Sequence, residues 1–184
     1  STQQALKELA PQSPCLVFTQ NQTQGVGRRG SAWASDQHSL TMSLAIPETT
    51  LPPSLYAIEF SVIIVDYLKT NGHPAVQLKW PNDLIYQGGK VGGVIGTTVD
   101  SMIHLGLGLN LQSSQNRQYK NLNIDIDPKE MALDLSKFIL KNRFKSAKNL
   151  ALRWNDLCCH KDMEVKFFDD QEIMINEGFF LGIN

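Results

Sequence analysis

Apolar residues recur along this chain with two periods, and the switch from one to the other marks its elements. Residues 2–10 place Ala5, Leu6 and Leu9 at helical spacing with Ser1 or Thr2 able to cap the first turn, which predicts a short helix. The runs CLVFT at 15–19 and LTMSLAI at 40–46 are rich in strand-forming residues. Between them lies a polar, glycine-bearing stretch of about twenty residues with no usable period, and a loop that long is usually functional or mobile. After Pro52 and Pro53, the positions Leu55, Ile58, Val62, Val65 and Leu68 step by three and four and end at Asn71-Gly72, a helix with its terminator. VQLKW (76–80), VGGVIGTTV (91–99) and MIHLGLGL (102–109) predict three strands at the centre of a sheet, the last two joined by a tight turn at Asp100-Ser101. Two further helical patterns follow at 128–141 and 146–157, with Lys-rich polar faces and Pro128 at a first-turn position. From residue 163 the character changes: MEVKFF, QEIMIN and GFFLGIN predict short strands, the start of a small β-barrel attached to the main domain.

Composition narrows the class. A chain of 184 residues suffices for one main domain with a small appendage and not for two or three full ones. Lysine and arginine number 17 against 18 acidic residues, so the total charge points to neither nucleic acid nor membrane, and any positive site must be local. Cys15 and the adjacent pair Cys158 and Cys159 are too few and too badly spaced for a disulfide framework or a zinc knuckle. No apolar run approaches the roughly 18–20 residues that span a bilayer. The opening STQQALKELA lacks the regions of a signal peptide, so a cytoplasmic protein is expected. His38, His73, His104 and His160 have no metal-ligand spacing and read as surface or packed histidines, so no metal site is expected. Cys158 and Cys159 follow Trp154 and Leu157 on an expected helix and read as packing residues.

Four short motifs carry candidate chemistry. Gly25-Val26-Gly27-Arg28-Arg29-Gly30 matches G-x-G-x-x-G, but its flanks, QNQTQ and SAWASD, supply neither the strand nor the helix that a dinucleotide-binding turn needs. A phosphate-binding P-loop would end in lysine and Ser/Thr, and this one does not. Two readings stay open on the loop alone: a lid that wraps an anion with backbone N–H groups and guanidiniums, or a solvated basic surface loop. Lys79-Trp80-Pro81-Asn82-Asp83-Leu84 ends a strand abruptly at proline and brings three kinds of polar group to one strand end, although Pro-Asn-Asp is also a good turn. Lys90 leads into Val91-Gly92-Gly93, whose glycines leave room for a ligand against the backbone. In Gly106-Leu107-Gly108-Leu109-Asn110 two glycines weaken a strand interior unless something approaches it closely.

Together GVGRRGSAW, KWPNDL, KVGG and GLGLN, in this order and at these separations, resemble the biotin protein ligase family. STQQAL is similar to the Ser-Thr segment that opens the family's catalytic domain, and Gln22 precedes the glycine loop by the family's usual interval. The resemblance implies an α+β fold: a central mixed β-sheet flanked by helices, of the class II synthetase-like biotin/lipoate ligase kind, with a small SH3-like β-barrel C-terminal domain. Residues 1–160 would form the catalytic biotin- and ATP-binding domain and 161–184 the start of the small one, with further residues expected beyond the ends of the chain.

The same resemblance implies the site. Ser1, Thr2 and Gln22 would hold the biotin ring system, with Gly25, Lys90, Gly92 and Gly93 also on biotin. Val26, Gly27, Arg28, Arg29, Gly30, Trp33, Lys79, Asn82, Asp83 and Asn110 would face the nucleotide, Trp33 packing on the adenine. Lys90, bridging the biotin carboxyl and the α-phosphate, and Arg28, on the carboxyl and phosphate region, would carry the catalysis. The implied reaction joins biotin to ATP, with Mg2+ as part of the co-substrate, giving biotinyl-5′-AMP and pyrophosphate. A lysine of a biotin carboxyl carrier protein then attacks the mixed anhydride. Neither half needs an enzyme nucleophile. Val26 stands where the family usually has arginine, Thr97 where many relatives have glutamate, and Gln3 where asparagine is usual. A lipoate ligase or octanoyl transferase would carry an Arg-Arg-x-Ser-Gly-Gly-Gly type loop, which is absent. Members that act as repressors place a winged-helix domain before the core, for which this chain has no room, so no DNA partner is expected. Bacterial relatives often pair through an edge of the central sheet, which makes a homodimer an expectation here.

Overall fold

Alternation along two long runs, LTMSLAI and MIHLGLGL, decides which side of this molecule becomes core. The computed structural model describes residues 1–35, 38–73, 76–112, 120–169, 171 and 173–184; Asp36 and Gln37 of the expected loop, Glu172 of the expected QEIMIN strand and the Arg29 side chain lie outside the described residues. In chain order the elements are α1 (Thr2–Leu9), β1 (Cys15–Thr19), β2 (Gly25–Val26), β3 (Ala32–Trp33), β4 (Ser39–Pro47), α2 (Tyr56–Thr70), β5 (Gln77–Lys79) and β6 (Asp83–Tyr86). They continue with β7 (Gly89–Val99), β8 (Met102–Asn110), α3 (Pro128–Lys141), α4 (Ala147–Leu157), β9 (Glu164–Phe168) and β10 (Met174–Phe179).

Six strands form one sheet in the order β1-β4-β8-β7-β6-β5, and each neighbouring pair is antiparallel. Beyond β5, Leu78 makes a parallel bridge to Cys158, so the sheet is mixed at this last contact. Asp100 and Ser101 both have positive φ, 48° and 63°, which is how a two-residue connection matches the twist of β7 and β8. On one face of the sheet Leu40, Met42, Leu44 and Ile46 of β4, with Leu105, Leu107 and Leu109 of β8, form a core with α2, α3 and α4. α2 is buried on nearly every side because it lies between the sheet and the other two helices. On the opposite face α1 covers only part of the sheet, where Leu6 packs on Ala45 and Met102 in a small separate cluster.

The helices are closed by local hydrogen bonds. Ser1 Oγ accepts from the Gln4 N–H, Asp127 Oδ1 from the Lys129 and Glu130 N–H groups ahead of Pro128, and Ser146 Oγ from the Asn149 N–H. Fully buried Glu59 on α2 accepts from Arg143 Nε at 2.9 Å, Arg143 Nη2 at 2.8 Å and the Phe144 N–H at 2.9 Å, which fixes the α3–α4 connection to α2.

Three segments differ from the sequence expectation. The aperiodic stretch contains a small hairpin, β2 with β3, whose two-residue strands are too short to show a period. The residues after Pro81 do not merely turn but return as β6 along β5 and β7, because Leu84 can enter the core while Asp83 stays at the rim. QEIMIN and GFFLGIN, expected as two strands, contribute to one, β10, which pairs with β9 through a bulge between Met174 and Asn176. Residues 180–184 leave that sheet and run back to α4, where Asn155 Nδ2 donates to the Ile183 carbonyl and the Ile183 N–H donates to Asn155 Oδ1, both at 2.9 Å.

Candidate active site

The sheet face that α1 leaves open holds a cavity of about 510 Å³. Its floor comes from residues that alternate with the core leucines: Gly106 and Gly108 of β8, Gly93 and Ile95 of β7, and Thr41 of β4. Each floor glycine has something over it or open space beside it. A side chain at Gly106 would come within 2.7 Å of Gln3 Nε2, and one at Gly108 would collide with the Trp33 ring. The GLGLN pattern therefore reads as a trough on one face and a core on the other.

Cations gather on one wall. The β6–β7 pairing steps from Ile85↔Lys90 to Leu84↔Gly92, so Val91 is an extra residue. This bulge re-aims the strand and puts Lys90 on the same face as Gly93. Lys90 Nζ donates to Asp83 Oδ1 at 2.6 Å and lies 6.0 Å from the Trp33 ring centroid, with 43% of the lysine side chain and 25% of the aspartate exposed. Arg28 Nη1 donates to Asn82 Oδ1 at 3.4 Å. Asn82 is itself buried, its Nδ2 donating to the Val94 carbonyl at 2.5 Å and its carbonyl accepting the Val94 N–H at 3.1 Å, so the turn is clamped to β7. With Lys79 also on the wall, three cations face the cavity against the one carboxylate of Asp83 among the described residues. That excess suits an anion that itself carries several charges.

A row of amides and hydroxyls forms another wall. Thr2 donates to Gln22 Oε1 from its N–H at 2.9 Å and from Oγ1 at 3.2 Å. Buried Ser43 donates to Thr2 Oγ1 at 2.8 Å and accepts from Gln3 Nε2 at 3.1 Å. Gln3 lies over Gly106, Trp33 over Gly108 and Asn110 at the end of β8, so the polar row, the aromatic ring and the strand exit follow one another along one strand. The Trp33 indole N–H is buried without a hydrogen-bond partner among the described residues.

Of the residues the sequence singles out, Ser1, Thr2, Gln22, Val26, Gly27, Arg28, Trp33, Lys79, Asn82, Asp83, Lys90, Gly93 and Asn110 line this one cavity. Gly25, Gly30 and Gly92 are not part of its lining. A side chain at Gly25 would strike the Trp33 carbonyl, Gly30 has φ 77°, and a side chain at Gly92 would meet the Gly108 carbonyl and Leu109 at 2.8 Å. These three glycines are explained by backbone geometry. The Arg29 side chain lies outside the described residues. Ser1 caps α1 as well as lining the cavity. Gly106 and Gly108, the strand glycines that the sequence marks as needing a close approach, line it as well, together with Gln3, Thr41 and Ile95.

The wall is supported from behind. Trp80 meets Trp154 and Phe180 with ring centroids 5.7 and 6.2 Å apart, and His160 packs at a tilt against Phe180 with centroids 4.5 Å apart. Burial, and after it the charge of Lys79, hold the His160 imidazole below its ordinary pKa. The expected α4 stops at Leu157, and Cys158 and Cys159 instead bond to β5 through the Leu78 bridge and the Cys159 N–H to the Leu78 carbonyl at 2.9 Å. Burial raises both thiol pKa values, as expected of packed rather than reactive cysteines. Among the described residues no group of three or more His, Cys, Asp or Glu could hold a metal ion, and no helix is long and apolar enough to cross a membrane.

Comparison with known proteins agrees with this geometry. Residues 1–111 match the model of the biotin/lipoate A/B protein ligase family. A biotin–acetyl-CoA-carboxylase ligase of Mycobacterium tuberculosis is 26% identical over 103 residues, covering 52% of this chain but only 39% of that protein. Among solved structures, a biotin protein ligase from Aquifex aeolicus in complex with biotin and ATP has a TM-score of 0.83 at 26% identity, covering 100% of this chain and 84% of its own. A biotin acetyl coenzyme A carboxylase synthetase from Helicobacter pylori, with bound biotinylated ATP, has a TM-score of 0.75 at 27% identity, covering 95% and 84%.

Proposed function

The chain belongs to the biotin/lipoate A/B protein ligase family, and from that premise we propose that it is a biotin protein ligase. It joins biotin to ATP as biotinyl-5′-AMP, releasing pyrophosphate, and passes the biotinyl group to a lysine of a biotin carboxyl carrier protein. The observation that carries this reading is the make-up of one cavity: three cations and a hydrogen-bonded amide row over a glycine floor. Adenylation must bring two anions, a carboxylate and the α-phosphate, into contact. At about 4 Å and an effective dielectric near 20, each cation placed there supplies a raw attraction of about 4 kcal/mol. Lys90 is read as the group between the two anions, and Arg28 on the β2–β3 lid as the group that closes over them. The amide row supports biotin over lipoate within the family. A ring with a carbonyl and N–H groups can satisfy it, whereas a dithiolane leaves it unpaired.

No residue need attack the substrate. Orientation of the two reactants can supply roughly 7–11 kcal/mol of the barrier, and closure of the lid keeps water from the anhydride. The Trp33 ring beside Lys90 is read as the adenine platform, and ATP enters as its Mg2+ complex. Residues 1–160 are read as the catalytic domain and 161–184 as part of a small SH3-like barrel, a division supported by the change between Leu157 and Glu164 from helices to an exposed two-stranded sheet. A cytoplasmic setting fits this reaction, and β1, an edge strand of the sheet among the described residues, supplies a strand through which two copies could pair. The decisive experiment is exchange of labelled pyrophosphate into ATP. It should depend strictly on biotin and be unsupported by lipoate or octanoate; exchange supported by lipoate instead would move the assignment to the other branch of the family.

A further inference from the structure

Resting on the reading of this cavity as a biotin site, we propose that Ser43, which does not line the cavity, is a positioning residue that decides which polar atoms the cavity presents to the ligand ring. Proton counting along the bonded row leaves one arrangement. The Thr2 backbone N–H can only donate, so the Gln22 atom facing it at 2.9 Å is the amide oxygen. That oxygen also lies 3.2 Å from Thr2 Oγ1, so the threonine hydroxyl spends its one proton there. Thr2 Oγ1 then has only lone pairs for Ser43 at 2.8 Å, and the Ser43 proton points at Thr2. Ser43 can therefore only accept from Gln3, which turns the Gln3 amide nitrogen toward it at 3.1 Å. Every orientation in the row descends from one backbone N–H.

At the cavity the result is a pair of opposite polarity. Gln22 keeps its Nε2 as a donor and Gln3 its Oε1 as an acceptor, neither having a hydrogen-bond partner among the described residues, and both side chains line the cavity. A ring carbonyl next to a ring N–H complements that pair. Ser43 sits fully buried on β4 opposite Gly106, whose missing side chain makes room for the Gln3 amide. Without the Ser43 hydroxyl, the Gln3 amide loses the partner that orients it and the Thr2 hydroxyl loses its donor.

The test measures biotin-dependent pyrophosphate exchange in the wild type, Ser43→Ala and Gln3→Met, with folding of each checked by thermal melting. Ser43→Ala should raise KM for biotin about 10-fold, the cost of unpairing buried groups, while kcat at saturating biotin and KM for ATP stay within about twofold. Gln3→Met, which keeps the length of the side chain and removes the amide, should raise KM for biotin to a similar extent and keeps the proposal testable if Ser43→Ala does not fold. An unchanged biotin KM in either folded variant overturns the role, and so does an equal loss in kcat and in KM for ATP, which structural damage alone would give. A wild type without biotin-dependent exchange overturns the function, and this role with it.

Discussion

The two faces of β4, β8 and β7 are built from the same strands and the same backbone hydrogen bonds, yet they do opposite work. On the helix side Leu40, Met42, Leu44, Leu105, Leu107 and Leu109 are at most 3% exposed and packed against α2 and α3. On the other side the alternate positions are Thr41, Gly93, Gly106 and Gly108, which leave a trough, and Ser43, which hydrogen-bonds the Thr2 and Gln3 side chains at its edge. Each interior glycine costs roughly 0.5–1 kcal/mol relative to alanine, and the leucine face offsets that cost. Because strand side chains alternate with a period of two, a one-residue slip would exchange the faces, so the packing that stabilises the fold also fixes the register of the site. Stability and recognition are therefore separable here by face.

That separation can be broken from either side. The largest effect is expected on the helix side, at Arg143→Ala. It leaves Glu59 buried without its bidentate partner, and removing one member of a buried pair costs about 3–5 kcal/mol. Urea unfolding should show that loss while kcat of the protein that remains folded is unchanged. The next largest belongs to the open face. Lys90→Ala should slow biotinyl-adenylate formation by about 10²–10³-fold and move the urea midpoint little, because Lys90 and its Asp83 partner are partly exposed and such pairs contribute about 0–1 kcal/mol. If Lys90→Ala were as destabilised as Arg143→Ala, or turned over normally, the two faces would not divide the work in this way.

The helix side was nearly all legible in the amino-acid sequence. The three- and four-residue steps from Leu55 to Leu68 and the tight turn at Asp100-Ser101 correspond to α2 and the β7–β8 hairpin. Long elements average over many residues, so period reveals them. What stayed hidden depends on few residues: the two-residue strands β2 and β3, the four-residue β6, and the bulge at Val91 that turns Lys90 toward Gly93. The site was legible as motifs, through the residues that bring charge. Gln3 showed only as a departure from the family's asparagine and Ser43 not at all, because their meaning lies in a hydrogen bond spanning forty positions of sequence, which no local pattern carries.

The smallest effect tests where one regime passes into the other. His104 lies on the open face of β8, two residues before Gly106, yet α1 roofs it so that it is 1% exposed and its Nδ1 has no hydrogen-bond partner among the described residues. Burial first, then the positive charge of Lys7 on α1, lower its pKa, and Asp100 in the β7–β8 turn opposes them. The sign follows from proton binding. Above the ordinary histidine value of about 6.5 neither the folded nor the unfolded chain is protonated at this ring, and His104 contributes nothing to the pH dependence. Below it the unfolded chain takes up a proton that the folded chain refuses, so stability falls as pH falls until the folded pKa is passed, by at most about 1.4 kcal/mol per pH unit. His104→Gln should flatten that part of the stability curve below about pH 6.5. The wild-type loss should also register as a rising KM for biotin, because the helix that covers His104 is the one that carries Thr2 and Gln3 to the cavity. An unchanged slope in His104→Gln would mean that acid acts elsewhere. A slope that vanished with no change in the biotin KM would mean that α1 can loosen over His104 while its first turn stays on the site, and the boundary between the two regimes would then run through α1 itself.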